Sequence, residues 1–111
     1  MKFIILFSIL IVYVNADSGV IWNKTGDGGY WANGCDFNGG DIKNAQMRGE
    51  DCGGACARTS GCTHFTWTTY NGGTCWMKKM DFPGVCCYPN KTNDISMACG
   101  MMTFCDSCTK G

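Results

Sequence analysis

Apolar residues are concentrated at the start of the chain and are scattered among polar residues and glycines after it. Met1-Lys2 gives a positively charged beginning, and 3–14 is an almost unbroken apolar run. That run is shorter than the roughly 20 residues that a membrane-spanning helix needs. Compact residues precede a break after Ala16, as they do at a signal-peptide cleavage site. We therefore predict a signal peptide at 1–16 and a secreted, extracellular mature chain; the alternative is an uncleaved anchor.

A β-hairpin is predicted in the middle of the chain, where residue types alternate. Segment 62–68 is rich in β-branched and aromatic residues, 71–73 is an Asn-Gly-Gly turn, and 74–78 is the return strand. We expect the buried face to contain Phe65, Trp67, Cys75 and Met77. We expect the outward face to contain His64, Thr66, Thr68, Thr74, Trp76 and Lys78. A register slip of one residue would exchange the two faces.

One helix is predicted, at 50–60, directly before the hairpin. Glu50 and Asp51 fall in its first turn, where carboxylates complement the helix dipole. Cys52 and Cys56 are four residues apart and share one face of the helix. Gly61 follows at the position of a left-handed C-cap residue.

The flanking segments are predicted to be shorter and less regular. We expect an N-terminal segment at 17–34 with a short strand at 20–22, and a strand that enters the domain at 35–42 around an Asn-Gly-Gly turn. A final strand is expected at 96–100. These elements predict a single domain at 35–100, followed by a cysteine-containing C-terminal tail at 101–111.

Ten cysteines and a balanced charge limit the class of protein. All ten cysteines follow the predicted signal peptide, and this density in a short secreted chain indicates a disulfide scaffold. The formal net charge is zero and no basic stripe is present, so nucleic acid is not an expected partner. Two sequons begin at Asn23 and Asn90 and are candidate glycosylation sites.

The segment from Asp36 to Cys99 resembles the PAN/apple family. The resemblance rests on Cys52-x3-Cys56, on the phrase Gly-Cys-Thr-His-Phe-Thr-Trp at 61–67, on Gly-Thr-Cys-Trp-Met-Lys at 73–78, and on Ser-Met-Ala-Cys-Gly at 96–100. It implies a small α+β fold in which a curled antiparallel sheet cradles one short helix. It also implies three disulfide bonds: Cys35–Cys99, Cys52–Cys75 and Cys56–Cys62.

Four further cysteines depart from the family pattern: Cys86, Cys87, Cys105 and Cys108. Four cysteines allow three connectivities, and a bond between the neighbours Cys86 and Cys87 would need strained geometry. We therefore predict that Cys86 and Cys87 pair with Cys105 and Cys108, which would fasten the tail to the segment after Lys78.

Catalysis is not expected from these residues. The only histidine, His64, lies within a predicted strand, so a nucleophile has no evident base. Cysteines in the secretory pathway are more often disulfide-bonded than zinc-bound. Asp36, Asn38 and Asp41 have a calcium-like spacing, but turn formation explains them better. We therefore predict a protein that is not an enzyme and has no metal and no cofactor.

Recognition of a ligand is the function that the family resemblance implies. PAN/apple modules are non-catalytic and bind carbohydrate or protein. Trp76 is predicted to be exposed beside hydroxyl and amine groups, which suits stacking on a sugar ring; the alternative is that it packs against Trp31 or Tyr30. The ligand-binding residues are predicted to be Trp76, His64, Thr66, Lys78 and Tyr70.

Two function classes therefore remain open. The first is a module that binds an extracellular carbohydrate or glycoprotein through the outer face of the hairpin. The second is a structural protein of an extracellular coat or matrix, or a protein–protein adhesion module, in which the same face makes protein contacts. Neither requires a membrane span.

Overall fold

A computed structural model describes residues 20–26, 29–80 and 89–102 of the 111-residue chain. These residues form eight strands and one α-helix. In chain order the elements are β1 (Asn23–Lys24), β2 (Tyr30–Asn33), β3 (Cys35–Asp36), β4 (Asp41–Gln46), α1 (Gly49–Ala57), β5 (His64–Thr68), β6 (Thr74–Lys78), β7 (Asn90–Lys91) and β8 (Ala98–Met101). A single 3₁₀ turn, Tyr70–Gly72, joins β5 to β6.

The strands form two antiparallel sheets. The larger sheet has six strands in the order β1-β2-β8-β5-β6-β4, and the smaller sheet pairs β3 with β7. Every described pair is antiparallel. The final strand β8 lies between β2 and β5, so the end of the described chain occupies the centre of the large sheet. The predicted α+β class, with an antiparallel sheet and one helix, is confirmed.

The hairpin has the predicted register. His64 pairs with Lys78, Thr66 with Trp76 and Thr68 with Thr74 across β5 and β6. The two rows of side chains predicted for the hairpin therefore lie on opposite faces of the sheet. The turn needs left-handed backbone at Asn71 (φ 51°), a conformation that asparagine tolerates better than most residues.

Helix α1 ends three residues earlier than the predicted Ser60. A disulfide bond joins Cys56 to Cys62, only six residues further on. The chain must reverse within that short loop, so the helix stops at Ala57. The Thr59 hydroxyl then donates a hydrogen bond at 2.8 Å to the Ala55 carbonyl oxygen, which also accepts from the Arg58 backbone N–H at 3.2 Å.

Three disulfide bonds connect the elements. Cys52–Cys75 joins α1 to β6, Cys56–Cys62 joins α1 to the loop before β5, and Cys35–Cys99 joins β3 to β8. These are the three pairs that the family resemblance implied. Two of them fix the helix against the hairpin, and the third fixes the small sheet to the large one.

Both faces of the large sheet carry a buried cluster. On the helix face, the cluster of Cys52, Cys56, Phe65, Cys75 and Met77 packs between α1 and the sheet. On the opposite face, a second cluster contains Val20, Ala32, Cys35, Phe37, Met80 and Cys99. The second cluster covers only part of its face, and the remainder, around the hairpin tip, stays open.

Several predicted strand boundaries were wrong. The strand expected at 20–22 is absent; a two-residue strand at Asn23–Lys24 takes its place, and Val20 is buried through its contacts with the second cluster. Cys62 and Thr63 precede β5 and are not part of it. The final strand occupies Ala98–Met101, and the residues before it form a turn.

Several predictions concern residues outside the described part of the chain. They are the signal peptide at 1–16, the start of the N-terminal segment and the four additional cysteines. Their pairing and the domain limits 17–34, 35–100 and 101–111 remain predictions. Among the described residues, no helix is both long enough and apolar enough to cross a membrane.

Candidate functional site

A groove of about 570 Å³ opens on the sheet face opposite the helix, beside the hairpin tip. We call it the hairpin groove. Its lining residues come from residues 36–41, which we call the β3–β4 segment, from the hairpin and from the turn before β8. They are Asp36, Asn38, Gly39, Asp41, Thr66, Thr68, Thr69, Tyr70, Trp76, Lys78, Asp94 and Met97. Four of the five predicted ligand-binding residues lie in this set; the exception is His64.

Two aromatic side chains form one wall of the hairpin groove. The ring centroids of Tyr70 and Trp76 are 6.0 Å apart, and the ring planes are inclined by 42°. The indole N–H of Trp76 donates to the hydroxyl of Thr68 at 2.9 Å, which fixes the orientation of the ring. The Thr74 hydroxyl donates to the Tyr70 carbonyl oxygen at 2.7 Å and holds the turn that carries the phenol. The Trp76 indole and the turn that carries Tyr70 are therefore held before any ligand arrives.

Trp76 is half-buried, and Tyr70 is exposed to 61%. The predicted alternative gave Trp31 or Tyr30 as the packing partner of Trp76, and packing against Trp31 does not occur. Trp31 pairs with Gly100 of β8, next to Phe65, and packs against the helix-face cluster on the other side of the sheet. Trp76 therefore keeps part of its ring available on the groove side.

The prediction that His64 faces outward was wrong. His64 is fully buried, and its ring forms a T-shaped contact with the Phe37 ring at a centroid distance of 4.6 Å. Its Nδ1 lies 2.7 Å from the hydroxyl oxygen of Thr63. The alternation correctly placed His64 on the face opposite the helix, but the β3–β4 segment covers that end of the face. His64 is therefore not a ligand-binding residue of the groove.

Thr66 and Lys78 were also predicted to be exposed, and both are buried, at 2% and 4% exposure. Both residues line the groove at its base, where the β3–β4 segment forms hydrogen bonds with the Thr66 hydroxyl and the Lys78 ammonium group. The Thr66 hydroxyl donates to Asp36 Oδ1 at 2.8 Å and accepts from the Phe37 backbone N–H at 3.2 Å. Both residues are buried for the same physical reason: strand alternation identifies the face of the sheet on which a side chain lies, but it cannot show which loop covers that face.

The Lys78 ammonium group is held by two acceptors of the β3–β4 segment. Its Nζ donates to the Gly39 carbonyl oxygen at 3.2 Å and forms an ion pair with Asp41. The Lys78 side chain is 5% exposed, whereas the Asp41 side chain is 47% exposed. A buried charge with both a carboxylate and a carbonyl partner is compensated, so the pair is a rigid part of the groove floor.

Two further carboxylates line the groove and were not among the predicted site residues. Asp94 accepts hydrogen bonds through Oδ1 from the backbone N–H and the hydroxyl of Ser96. These bonds, the hydroxyl first and the backbone N–H second, lower the pKa of Asp94. Asp36 accepts the Thr66 hydroxyl. Since Asp94 belongs to a turn far along the chain, no local motif connects it with the hairpin.

A second cavity, about 530 Å³, lies on the helix side of the sheet, and the sequence reasoning missed it. We call it the helix cleft. Its aromatic residues are Trp31, Phe65 and Trp67. Gly49, Gly53 and Gly54 of α1 also line it, and a helix wall without side chains leaves the space open. The run of glycines was the signal in the sequence that could have revealed it.

The helix cleft is mainly apolar and its charges balance. Its ionic lining residues are Lys24 and Glu50. The pKa of Glu50 is lowered, first by its own backbone N–H and then by the positive charge of Arg48. The hairpin groove also combines aromatic rings with polar groups, and it differs from the helix cleft in holding three carboxylates, those of Asp36, Asp41 and Asp94, against one ammonium group.

The described residues contain no group of three or more histidine, cysteine or acidic side chains that is arranged to hold a metal ion. Asp36 and Asp41, which have a calcium-like spacing, are occupied by Thr66 and Lys78. Turn formation and these internal bonds account for both residues.

Residues 35–78 match the family model of the PAN domain. The matched segment contains β3, β4, α1 and the hairpin, and hence both disulfide bonds of the helix. The chain matches no curated protein and no solved structure. The family match supports a PAN/apple-like domain at residues 35–78. Such domains are generally non-catalytic modules that bind protein or carbohydrate.

Proposed function

We propose that the protein is a secreted, non-catalytic recognition module that binds carbohydrate in the hairpin groove. The observation that carries the proposal is the fixed pair of Trp76 and Tyr70 at the side of a polar groove. An aromatic face complements the apolar face of a sugar ring, and neighbouring polar groups can bond to its hydroxyl groups.

The size and rigidity of the groove support this proposal. A volume of about 570 Å³ falls within the range of small-ligand sites. Thr68 already holds the Trp76 indole and Thr74 holds the turn that carries Tyr70, so binding would require little ordering of the indole or of the backbone. A preorganised site loses less conformational entropy when the ligand binds.

The test is a glycan-array screen of the oxidised protein together with a Trp76→Ala variant. Carbohydrate binding in the groove predicts selective signals that the variant loses while its circular dichroism stays unchanged. Lys24→Ala is the matched control because Lys24 is exposed and lines the helix cleft. Signals lost in Lys24→Ala and kept in Trp76→Ala would place the site in the helix cleft and contradict the proposal.

A structural role in a coat or matrix is the second candidate, and β4 favours it. This six-residue strand forms one edge of the large sheet, and its Ile42 side chain is 46% exposed. An exposed edge strand can pair with another chain. Self-assembly predicts a sedimentation coefficient that rises with protein concentration and does so less in Ile42→Asp. A monomer at all concentrations would argue against this role.

We also propose that Asn23 and Asn90 are glycosylated. Both asparagines are exposed, in β1 and β7. Asn90 is the register partner of Asp36, which lines the hairpin groove. A glycan on Asn90 would lie beside the groove, so the array should include an Asn90→Gln variant. Intact-protein mass spectrometry before and after glycosidase treatment measures the occupancy.

A further inference from the structure

We infer that the hairpin groove selects a sugar that carries a protonated amine over its neutral N-acetylated counterpart. The inference rests on the proposed function, because it takes the groove as the binding site and specifies the chemistry of its ligand. The groove itself is defined by its volume and by the aromatic pair, and the charged residues decide which ligand fits.

The lining of the groove has an excess of negative charge. Its ionic residues are the carboxylates of Asp36, Asp41 and Asp94 and the ammonium group of Lys78. The Lys78 charge is buried and paired with Asp41, so it offers little attraction to an anion. The formal charge that remains is that of Asp36 and Asp94. The helix cleft has no such excess because Lys24 balances Glu50.

Asp36 and Asp94 can each accept a further hydrogen bond. In both residues Oδ1 accepts the bonds that hold the side chain, and no described residue donates to Oδ2. The two residues come from separate segments, the small sheet and the turn before β8, and both line the same groove. A ligand ammonium group could therefore bond to fixed carboxylate oxygens.

The aromatic wall favours the same ligand charge. The faces of tryptophan and tyrosine rings carry partial negative charge and attract a cation that lies within about 6 Å. Trp76 and Tyr70 stand beside the carboxylates in the groove. An amino sugar that stacks on Trp76 would make the apolar contact with the ring. It would also bring its positive charge close to the carboxylates and to the negatively polarised faces of the aromatic rings. A sugar acid would meet two unpaired carboxylates and be repelled.

The experiment is isothermal titration of the secreted protein with a fully deacetylated glucosamine oligomer and with the same oligomer N-acetylated. We expect the amine form to bind more tightly and to weaken as salt is added. Asp36→Asn and Asp94→Asn keep the shape and the internal acceptor oxygen, and each should weaken the binding of the amine form about 1.5- to fivefold, the range for an exposed ion pair. Glu50→Gln, in the helix cleft, is the matched control and should change nothing.

The outcomes separate this inference from the proposed function. Equal affinity for both oligomers, lost in Trp76→Ala, would overturn the charge preference and leave the groove as a carbohydrate site. Binding of the amine form that survives both aspartate substitutions, or that Glu50→Gln weakens equally, would overturn the inference as well. No binding of either oligomer by the folded protein would overturn it too, and the glycan array would then decide the proposed function alone.

Discussion

Gly100 is the position where a single added methyl group should damage the fold most. Gly100 lies in β8, between β2 and β5, and pairs with Phe65 and Trp31. A Cβ atom built on Gly100 lies 2.1 Å from Cζ of Phe65 and 2.6 Å from the backbone oxygen of Tyr30. Unstrained carbon atoms approach to about 3.5–4.0 Å. The methyl group of Gly100→Ala therefore cannot be accommodated without movement of the ring or of β2.

The expected cost follows from the surroundings of Phe65. This side chain is 3% exposed and already lies against Gly53 of α1, where a built Cβ would be 3.6 Å from the ring. The methyl group would take the place of the ring edge, so the ring must shift toward the helix cleft or β2 must separate from β8. Adding volume to a well-packed core costs about 1–3 kcal/mol, occasionally more. We expect Gly100→Ala to lower the free energy of unfolding by about that amount.

The assay is guanidinium unfolding under oxidising conditions, followed by tryptophan fluorescence. Gly26→Ala is the matched control because no described atom lies within 4 Å of its built Cβ; it should stay within about 0.5 kcal/mol of the parent. The double variant Gly100→Ala/Phe65→Leu should recover part of the loss. A Gly100→Ala protein as stable as the Gly26→Ala control would refute the packing of Phe65 on β8.

Three further predictions test other parts of the fold. Replacement of both Cys52 and Cys75 by alanine opens a cross-link over 23 residues and should cost about 3 kcal/mol in urea unfolding; no loss would contradict a structural role for that bond. Trp67→Phe removes the indole hydrogen bond to a backbone carbonyl oxygen at 2.8 Å and should cost about 1 kcal/mol by the same measurement. Ser96→Ala removes the main cause of the lowered pKa of Asp94, so NMR titration should show that pKa rising toward its ordinary value. Because the folded-state pKa of Asp94 is lowered, its contribution to stability is present above the ordinary aspartate pKa and is lost as the pH falls through the lowered value. Ser96→Ala should therefore make the free energy of unfolding fall less over this acidic range.

The hairpin and the helix could be predicted because their signals are local. Strand alternation gave the register that pairs Thr66 with Trp76, and β6 has the predicted limits of Thr74 and Lys78. Two cysteines four residues apart marked the helix face that meets the sheet. The helix end was less predictable because the Cys56–Cys62 bond, and not the sequence of the last turn, stops it.

The burial of the outward face could not be predicted from alternation. His64 and Lys78 lie on the predicted face, but Phe37 covers the first and Asp41 and Gly39 hold the second. These contacts come from a segment that is far away in the chain, 37 and 39 residues for the two Lys78 bonds, and no periodicity in the hairpin reports them. The hairpin tip escapes this cover.

The residues that line the groove could also be predicted only in part from the sequence. Trp76 and Tyr70 were found because aromatic residues on a hairpin are conspicuous in a sequence. Asp94 was missed because it enters the groove only through the position of β8 in the centre of the sheet. Its partner Ser96 gave no separate indication of a ligand site.

The central claim is that carbohydrate binds beside Trp76. It is tested most directly by NMR titration of the ¹⁵N-labelled protein with the oligosaccharide that gives the strongest array signal. Our account predicts that the indole N–H resonance of Trp76 and the backbone resonances of Tyr70 and Asp94 shift with a common dissociation constant. Shifts confined to the indole resonances of Trp31 and Trp67, in the helix cleft, would contradict it.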